Sequence, residues 1–357
     1  PYDKLIIATG SKPRFFQWPG QELKGVQGLY HKRDLDLLEA NAPNTQVCKR
    51  AIVVGGGLIG IELAEMLHSR HIPVTFLVRE QNFWEGVLPT KNAQLLNKHI
   101  LSKGIDLRLN TELKEVVGGS NGRVKSIITN HNEQIDCDLV GIATGVQPNI
   151  DFIKNSPIHT DKGVLVNKYL ETNIEGIYAI GDCAQQTELS GQRKPIEAVW
   201  YTGRMMGETL AQTICGNKTA YKPGHWFNSA KFFEVEYQTY GWVNSDHRKP
   251  EYEAHFHWQH PSENIALSLA YHKDSQVLLG VNSFGMRLRH VVLDGWLTEQ
   301  RTLEYVLARW ADALFDPEFT KNQLPELLDT YQKTFGKAIQ PLKKNWSRIL
   351  NPFKKSL

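Results

Sequence analysis

The chain has 357 residues, 41% of them hydrophobic and 22% charged, with a net charge of +3. That length calls for two or three hydrophobic cores. The charge is too small for nucleic acid to be the main partner, and no apolar run approaches the roughly 20 residues that cross a bilayer. The four cysteines, Cys48, Cys137, Cys183 and Cys215, are scattered with no CxxC spacing. They support neither a disulfide framework nor a metal knuckle, and favour a reducing, cytoplasmic compartment.

In chain order, "LIIA" at 5–8 reads as a short buried strand that ends at Thr9 and Gly10, and a loop with Pro and Trp runs on to Gly20. Residues 34–40 look helical, and Pro43 and Asn44 mark a linker. Residues 51–54 are a strand, 58–69 a helix with Ile59, Leu63, Met66 and Leu67 on one face, and 74–78 a second strand, making a βαβ unit. A helix follows over 92–101. Residues 105–109, 113–117 and 124–129 alternate like a small antiparallel meander, with Gly118-Gly119 and Asn121-Gly122 as turns. Strands at 139–143 and 177–180 end in Ala143-Thr144-Gly145 and in Gly181-Asp182, and a helix covers 198–213. Gly216 and Pro223-Gly224 mark a boundary. Beyond it, 226–242 reads as two strands, 277–282 as one, and 303–315 and 324–335 as helices.

Gly55-Gly56-Gly57-Leu58-Ile59-Gly60 fits G-x-G-x-x-G between a strand and a helix. Gly55 permits the tight turn, Gly57 lets the backbone approach a pyrophosphate, and Gly60 lets helix and strand pack closely. The helix N-terminus offers unpaired N–H groups and partial positive charge to the phosphates. A glycine turn needed only for packing is the alternative. The ribose-reading acid expected at the end of the second strand falls on Val78, followed by Arg79 and Glu80. Arg79 can attract a 2′-phosphate, which leans toward NADPH or dual use, while Glu80 can still reach the ribose if the strand end bulges.

The segments "YDKLIIATGSKPR", "GGGLIGIELAE", "DLVGIATGVQPN" and "TNIEGIYAIGDCA" occur in an order and spacing that resemble the FAD-dependent pyridine nucleotide oxidoreductases of the NADH oxidase, ferredoxin/rubredoxin reductase and nitrite reductase type, over roughly residues 1–215. The resemblance implies an α/β two-dinucleotide-binding flavoprotein fold, a Rossmann-like NAD(P) domain inserted in a partial FAD domain, plus a C-terminal α+β domain. It implies a partial FAD-binding domain over 1–47 and 147–218, an NAD(P)H-binding domain over 48–146, a C-terminal domain over 219–335 and a basic tail over 336–357. Asp182, after Gly181, would accept a hydrogen bond from the FAD ribityl chain. The helix starting near Ala198 would aim its N-terminus at the flavin pyrimidine, its start lined by Glu197, Ala198, Val199 and Trp200. For Trp200, covering a ring face competes with simple core packing. Glu62 would sit near nicotinamide and flavin, or else be a plain solvated helix glutamate. The Thr9-Gly10 and Thr144-Gly145 turns would lie close to the cofactors, and Gln147, Pro148 and Asn149 would be the hinge between the two domains.

That family carries an N-terminal G-x-G-x-x-G for the FAD adenylate, which is not found here. The chain opens without Met just ahead of a strand, so it is expected to be a fragment that binds FAD poorly. Hydride transfer from nicotinamide to flavin, then to an unidentified acceptor such as a small redox protein, is the implied reaction, in a homodimer. A membrane-surface quinone reductase and a non-enzymatic nicotinamide-sensing or scaffolding flavoprotein are the rivals. No metal is invoked: His255, His257 and His260 suit a solvated strand face better than a metal site. Phe232, Val235 and Tyr237 against Phe233, Glu234 and Glu236 fit a strand with one buried face and a bulge, or else an aromatic surface on the substrate or dimer side. The tail from 341 repeats Leu342, Trp346, Ile349, Leu350 and Phe353 at helical spacing among basic residues, a pattern able to pack, to dock an acidic partner or to lie on an anionic membrane.

Overall fold

The computed structural model describes residues 2–342 except 190, 317, 319 and 320. The chain divides into two compact units, Pro1–Gly224 and His225–Leu357. The basic tail expected from 341 falls, beyond residue 342, outside the described residues.

In the first unit a five-stranded sheet has the spatial order Val26–Gln27, Leu139–Ile142, Ala51–Val54, Val74–Leu77, Asp106–Arg108, and every pairing is parallel. The three central strands are buried at every position, as a parallel sheet covered on both faces requires. On one face the helix Leu58–Ser69 lies so close that a Cβ on Gly141 would stand 2.2 Å from Leu63 Cδ2. On the other, Leu113, Val116, Val124, Ile127 and Ile135 join Ile52, Leu77 and Val140 in one apolar cluster. These come from a meander of Leu113–Gly118, Val124–Thr129 and Gln134–Asp136.

The meander differs from the expectation at its start. Asp106–Arg108 is the edge strand of the parallel sheet, and Gln134–Asp136 is the meander's third strand. A half-buried edge strand alternates just as a meander strand does, so periodicity does not separate the two. The helix read over 92–101 runs a turn wider, as Thr90–Ser102.

A second layer of the same unit pairs Leu5–Ile7 with Ile177–Ala179 and Val164–Val166 with Ala184–Gln186, both in parallel. The helix Trp200–Ile214 buries Met206 and Leu210 beside Ile7, Val164, Tyr178 and Cys183. Ile6 at the middle of the first strand remains 45% exposed. The two layers are joined by two chain crossings that hydrogen-bond to each other: Ser11–Pro13 runs antiparallel to Val146–Pro148.

The second unit is an antiparallel sheet in the order Phe227–Phe232, Val235–Gly241, Leu278–Phe284, Ala266–His272, Glu253–Gln259. Phe256, Trp258, Leu267, Leu269 and Val281 face Leu293, Trp296, Leu307, Trp310 and Leu327 from the helices in one core. The irregular stretch around Phe232 is not a bulged strand but a hairpin turn. Phe233 has φ +52 there, and Phe232, Phe233, Val235 and Tyr237 are all buried. The helix expected over 303–315 breaks at Arg309 into Leu303–Ala308 and Trp310–Ala313. Trp310, 3% exposed, is thereby turned into the core. Among the described residues no helix is long and apolar enough to cross a membrane.

Phe256 is fully enclosed in this core at 1% exposure. Phe256→Ala should cost about 3–5 kcal/mol, the usual range for a phenylalanine-sized core truncation, read as an earlier urea midpoint of the second unit's unfolding.

Candidate functional site

The glycine loop is shaped by close backbone approaches. Gly55 has φ +118, and a Cβ there would stand 2.4 Å from the Ala143 carbonyl oxygen. A Cβ on Gly60 would meet the Gly55 carbonyl at 2.2 Å and the Phe76 ring at 3.0 Å. At Gly57 nothing lies within 4 Å of the Cβ position, so the loop opens into space there. Gly57 is also the N-cap of Leu58–Ser69, and no side chain caps that helix start. Leu58 and Ile59, half-buried, form its first turn. Open space beside uncapped helix N–H groups suits a phosphate.

At the end of the second strand Val78 is fully buried, and its side chain fills the position a Cβ on Gly56 would take. Arg79 Nε pairs with Glu80 Oε1 at 2.8 Å on the surface. The position expected to read the ribose therefore carries a cation paired to its neighbouring anion.

Glu62 lies in the first turns of the helix, one face open to water and the rest crowded by protein. Desolvation, with the charge of Glu65 second, raises its pKa.

The second candidate surface gathers on Gly181–Cys183, a single 3-10 turn following Ile177–Ala179. Asp182 Oδ2 accepts from Ser11 Oγ at 2.9 Å and from Tyr30 Oη at 3.0 Å, and Tyr30 Oη in turn accepts from the Ser11 N–H at 3.0 Å. Burial, and secondarily the neighbouring Asp182, raise the Tyr30 pKa. A Cβ on Gly181 would meet nothing within 4 Å. Ser11 and Tyr30 were not anticipated. Ser11 adjoins an Ala-Thr-Gly turn that was, but Tyr30 carries no local signal.

The Ala-Thr-Gly turns are fastened to the crossings. Thr9 Oγ1 donates to the Asn149 carbonyl at 2.8 Å, and the Asn149 N–H to Gly10 at 2.9 Å. Thr144 Oγ1 donates to the Arg14 carbonyl at 2.8 Å, and the Arg14 N–H to Gly145 at 3.0 Å. Gln147 and Pro148 lie in the paired crossing itself.

The start of Trp200–Ile214 differs from its expected lining. Glu197 is buried, bound to Arg193 at 2.8 Å and to Thr202 Oγ1 at 3.3 Å, while its Oε1 has no hydrogen-bond partner. Arg193 also donates to the carbonyls of Pro223 and Gly224. Burial pushes nearby Tyr221 up to about 12. The outward positions are Ala198, exposed, half-buried Val199, which caps the helix with no side-chain bond, and Trp200. Trp200 is not core: it is 68% exposed, with the Arg204 guanidinium 5.6 Å from its ring centre.

His255 and His257, expected on a solvated strand face, are only partly exposed and are bound by their neighbours. His255 Nε2 meets the buried Glu253 carboxylate at 2.6 Å, and His257 Nδ1 meets Ser268 Oγ at 2.9 Å. Among the described residues no cluster of three or more His, Cys, Asp or Glu side chains is placed to hold a metal. Burial pushes the Cys48 thiol up to about 11 and Cys137 to about 12, far from the thiolate range a reactive cysteine needs.

The family model described as pyridine nucleotide-disulphide oxidoreductase matches residues 1–207. The nitrite reductase [NAD(P)H] of Bacillus subtilis (strain 168) is 32% identical over 220 residues, 61% of this chain and 26% of that protein. The rubredoxin-NAD(+) reductase of Acinetobacter baylyi is 32% identical over 212 residues, 59% of this chain and 53% of that one. The chain thus spans about a quarter of the first relative and about half of the second. The solved NAD-dependent persulfide reductase of A. fulgidus superposes with a TM-score of 0.78 at 23% identity, covering 96% of this chain and 66% of that one. The shared architecture is that of two dinucleotide-binding folds with a C-terminal α+β unit.

Because the folded state holds the Glu62 proton more tightly than the unfolded chain does, Glu62 detracts from stability as pH rises above the ordinary glutamate value of about 4.3. Glu62→Gln should therefore melt higher than the parent at pH 7, with the gap closing below pH 4. Equal melting temperatures across that range would contradict the crowding inferred for this carboxylate.

Proposed function

Because the chain belongs to the pyridine nucleotide-disulphide oxidoreductase family, we propose that it binds NAD(P)H on the glycine loop and supplies the Asp182 side of an FAD seat. Electrons then pass to a small redox protein. The observation that carries this reading is the loop itself: open space at Gly57 beside an uncapped helix start, with Gly55 and Gly60 leaving no room for a side chain.

The residues on the other side fit a flavin. Asp182, its Oδ2 oriented by the Ser11 and Tyr30 hydroxyls, would accept from the ribityl chain. The uncapped start of Trp200–Ile214 would place backbone donors and the positive end of a helix dipole at the pyrimidine edge. The flavin, when bound, supplies the hydride acceptor that no side chain provides. Glu62, with its raised pKa, would hold or release a proton beside the nicotinamide. Trp200 is exposed on the same helix, with the Arg204 guanidinium, itself paired to Glu208, against its ring, an aromatic surface on which a small redox protein would dock. The name of the rubredoxin-NAD(+) reductase relative points to the same class of acceptor.

The adenylate end of the FAD would need a further nucleotide-binding segment. The exposed middle of Leu5–Ile7, at Ile6, is a face on which one would lie, since parallel strands are normally covered on both sides. These 357 residues alone would then hold FAD weakly. A cytoplasmic homodimer completes the reading; its cytoplasmic part rests on four unpaired cysteines.

Calorimetry of the chain with NADH and with NADPH should give saturable single-site binding; no heat with either would refute the dinucleotide site. In the full-length protein, anaerobic addition of either should bleach the visible flavin band. A colourless full-length protein would refute the FAD half. Glu80→Gln should release Arg79 and shift the preference toward NADPH by roughly tenfold, the size of one charge-assisted hydrogen bond. An unchanged NADPH to NADH ratio would show that this pair does not face the ribose.

A further inference from the structure

The loop after Val74–Leu77 is built at some expense. Trp84 has φ +57, the left-handed region that a bulky side chain seldom adopts. Its backbone N–H donates to the carbonyl of Gly56, the middle glycine of the phosphate loop, at 3.1 Å. The conformation is braced by buried polar side chains. Asn97 Oδ1 accepts from the Phe83 N–H at 2.9 Å, and its Nδ2 donates to Asn82 Oδ1 at 2.9 Å. Asn82 Nδ2 donates to Glu85 Oε1 at 3.1 Å, and Glu85 Oε2 accepts from the Gln81 N–H at 3.1 Å. Asn82, Glu85 and Asn97 are each less than a tenth exposed.

That network grips the loop on both sides of Trp84, at the Phe83 N–H and at Glu85. Phe83, fully buried with its ring 5.9 Å from Phe76, already ties the loop to the core. The residue so framed is Trp84, half-buried, four residues past Glu80 and joined to the phosphate loop through its backbone N–H. In a strand–glycine loop–helix–strand unit the end of the second strand meets the adenosine ribose, not the nicotinamide. A wide aromatic face fixed there suits a purine, because stacking on an aromatic side chain tolerates any base and contributes substantially to affinity.

We propose that Trp84 is a stacking platform for the adenosine half of the dinucleotide, held in place by its hydrogen bond to Gly56 and by the Asn82, Glu85 and Asn97 network. The proposal rests on the reading of the glycine loop as a dinucleotide site. It adds a binding residue that the loop motif does not contain.

ADP-ribose, which lacks the nicotinamide, is the probe, and its affinity for the full chain is measured by calorimetry beside the melting temperature. Trp84→Gly is the informative variant. Glycine takes φ +57 without strain and keeps the N–H bonded to Gly56. It should retain the fold and weaken ADP-ribose binding by tenfold or more, the lower range being expected from loss of one stacked base. Trp84→Phe should keep most of the affinity, and Trp84→Leu, which keeps bulk but no π face, should lose it. Parent-like ADP-ribose affinity in a folded Trp84→Gly or Trp84→Leu variant would overturn the proposal while leaving the glycine-loop site standing. Absence of ADP-ribose binding to the parent chain would overturn both. If Trp84→Gly unfolds, the comparison of Phe with Leu decides the matter.

Discussion

A helix can begin directly off the strand Ala51–Val54 only because the backbone there is bare. The Gly55 carbonyl lies where a Cβ on Gly60 would be, and the Ala143 carbonyl lies where a Cβ on Gly55 would be. Any side chain at either position forces the helix away from the sheet. The N–H groups of the helix start would then no longer converge on the open space at Gly57. Packing and the placing of the helix-start donors are thus the same constraint: the density that buries Ile61, Leu63 and Ala64 also fixes those N–H groups.

The side of the molecule around Asp182 works by a different principle. Its carboxylate is oriented by hydroxyls that come from 171 and 152 residues away in sequence, so the strand end at Ala179, the turn after Gly10 and the segment before Lys32–Asn41 must all be in place first. A buried ion pair then anchors the approach to Trp200–Ile214. Arg193 and Glu197 have side chains only 6% and 3% exposed. Such a pair contributes little net stability, but removing one partner strands a buried charge. It is better understood as fixing geometry, because Arg193 simultaneously holds the carbonyls of Pro223 and Gly224.

What was legible in the sequence follows from this contrast. Residues 51–77 declared themselves, because the strand, the glycines and the helical period are all local signals. Leu324–Phe335 was equally plain, being amphipathic and ended by Gly336. The misreadings occurred where a local pattern has two tertiary meanings. Asp106–Arg108 alternates as an edge strand, and the stretch around Phe233 stops alternating because the chain turns. Trp200 faces water although aromatic residues at helix starts are commonly core. Tyr30 and Ser11 could not be paired with Asp182 from sequence, since nothing in their neighbourhoods encodes a contact that far along the chain. The left-handed backbone at Trp84 was invisible for the related reason that side chains from two elements impose it.

The antiparallel contact between Ser11–Pro13 and Val146–Pro148 has a mechanical consequence. A single strand between two lobes is a swivel, free to rotate about its own bonds. Two strands zipped side by side behave as a strip, which flexes across its thin direction but opposes torsion. Within the compact unit Pro1–Gly224 the strip, together with the Tyr30 hydroxyl bonded to Asp182, therefore opposes rotation of one layer against the other. A cut in either strand would leave a single crossing between the layers and weaken that resistance to torsion.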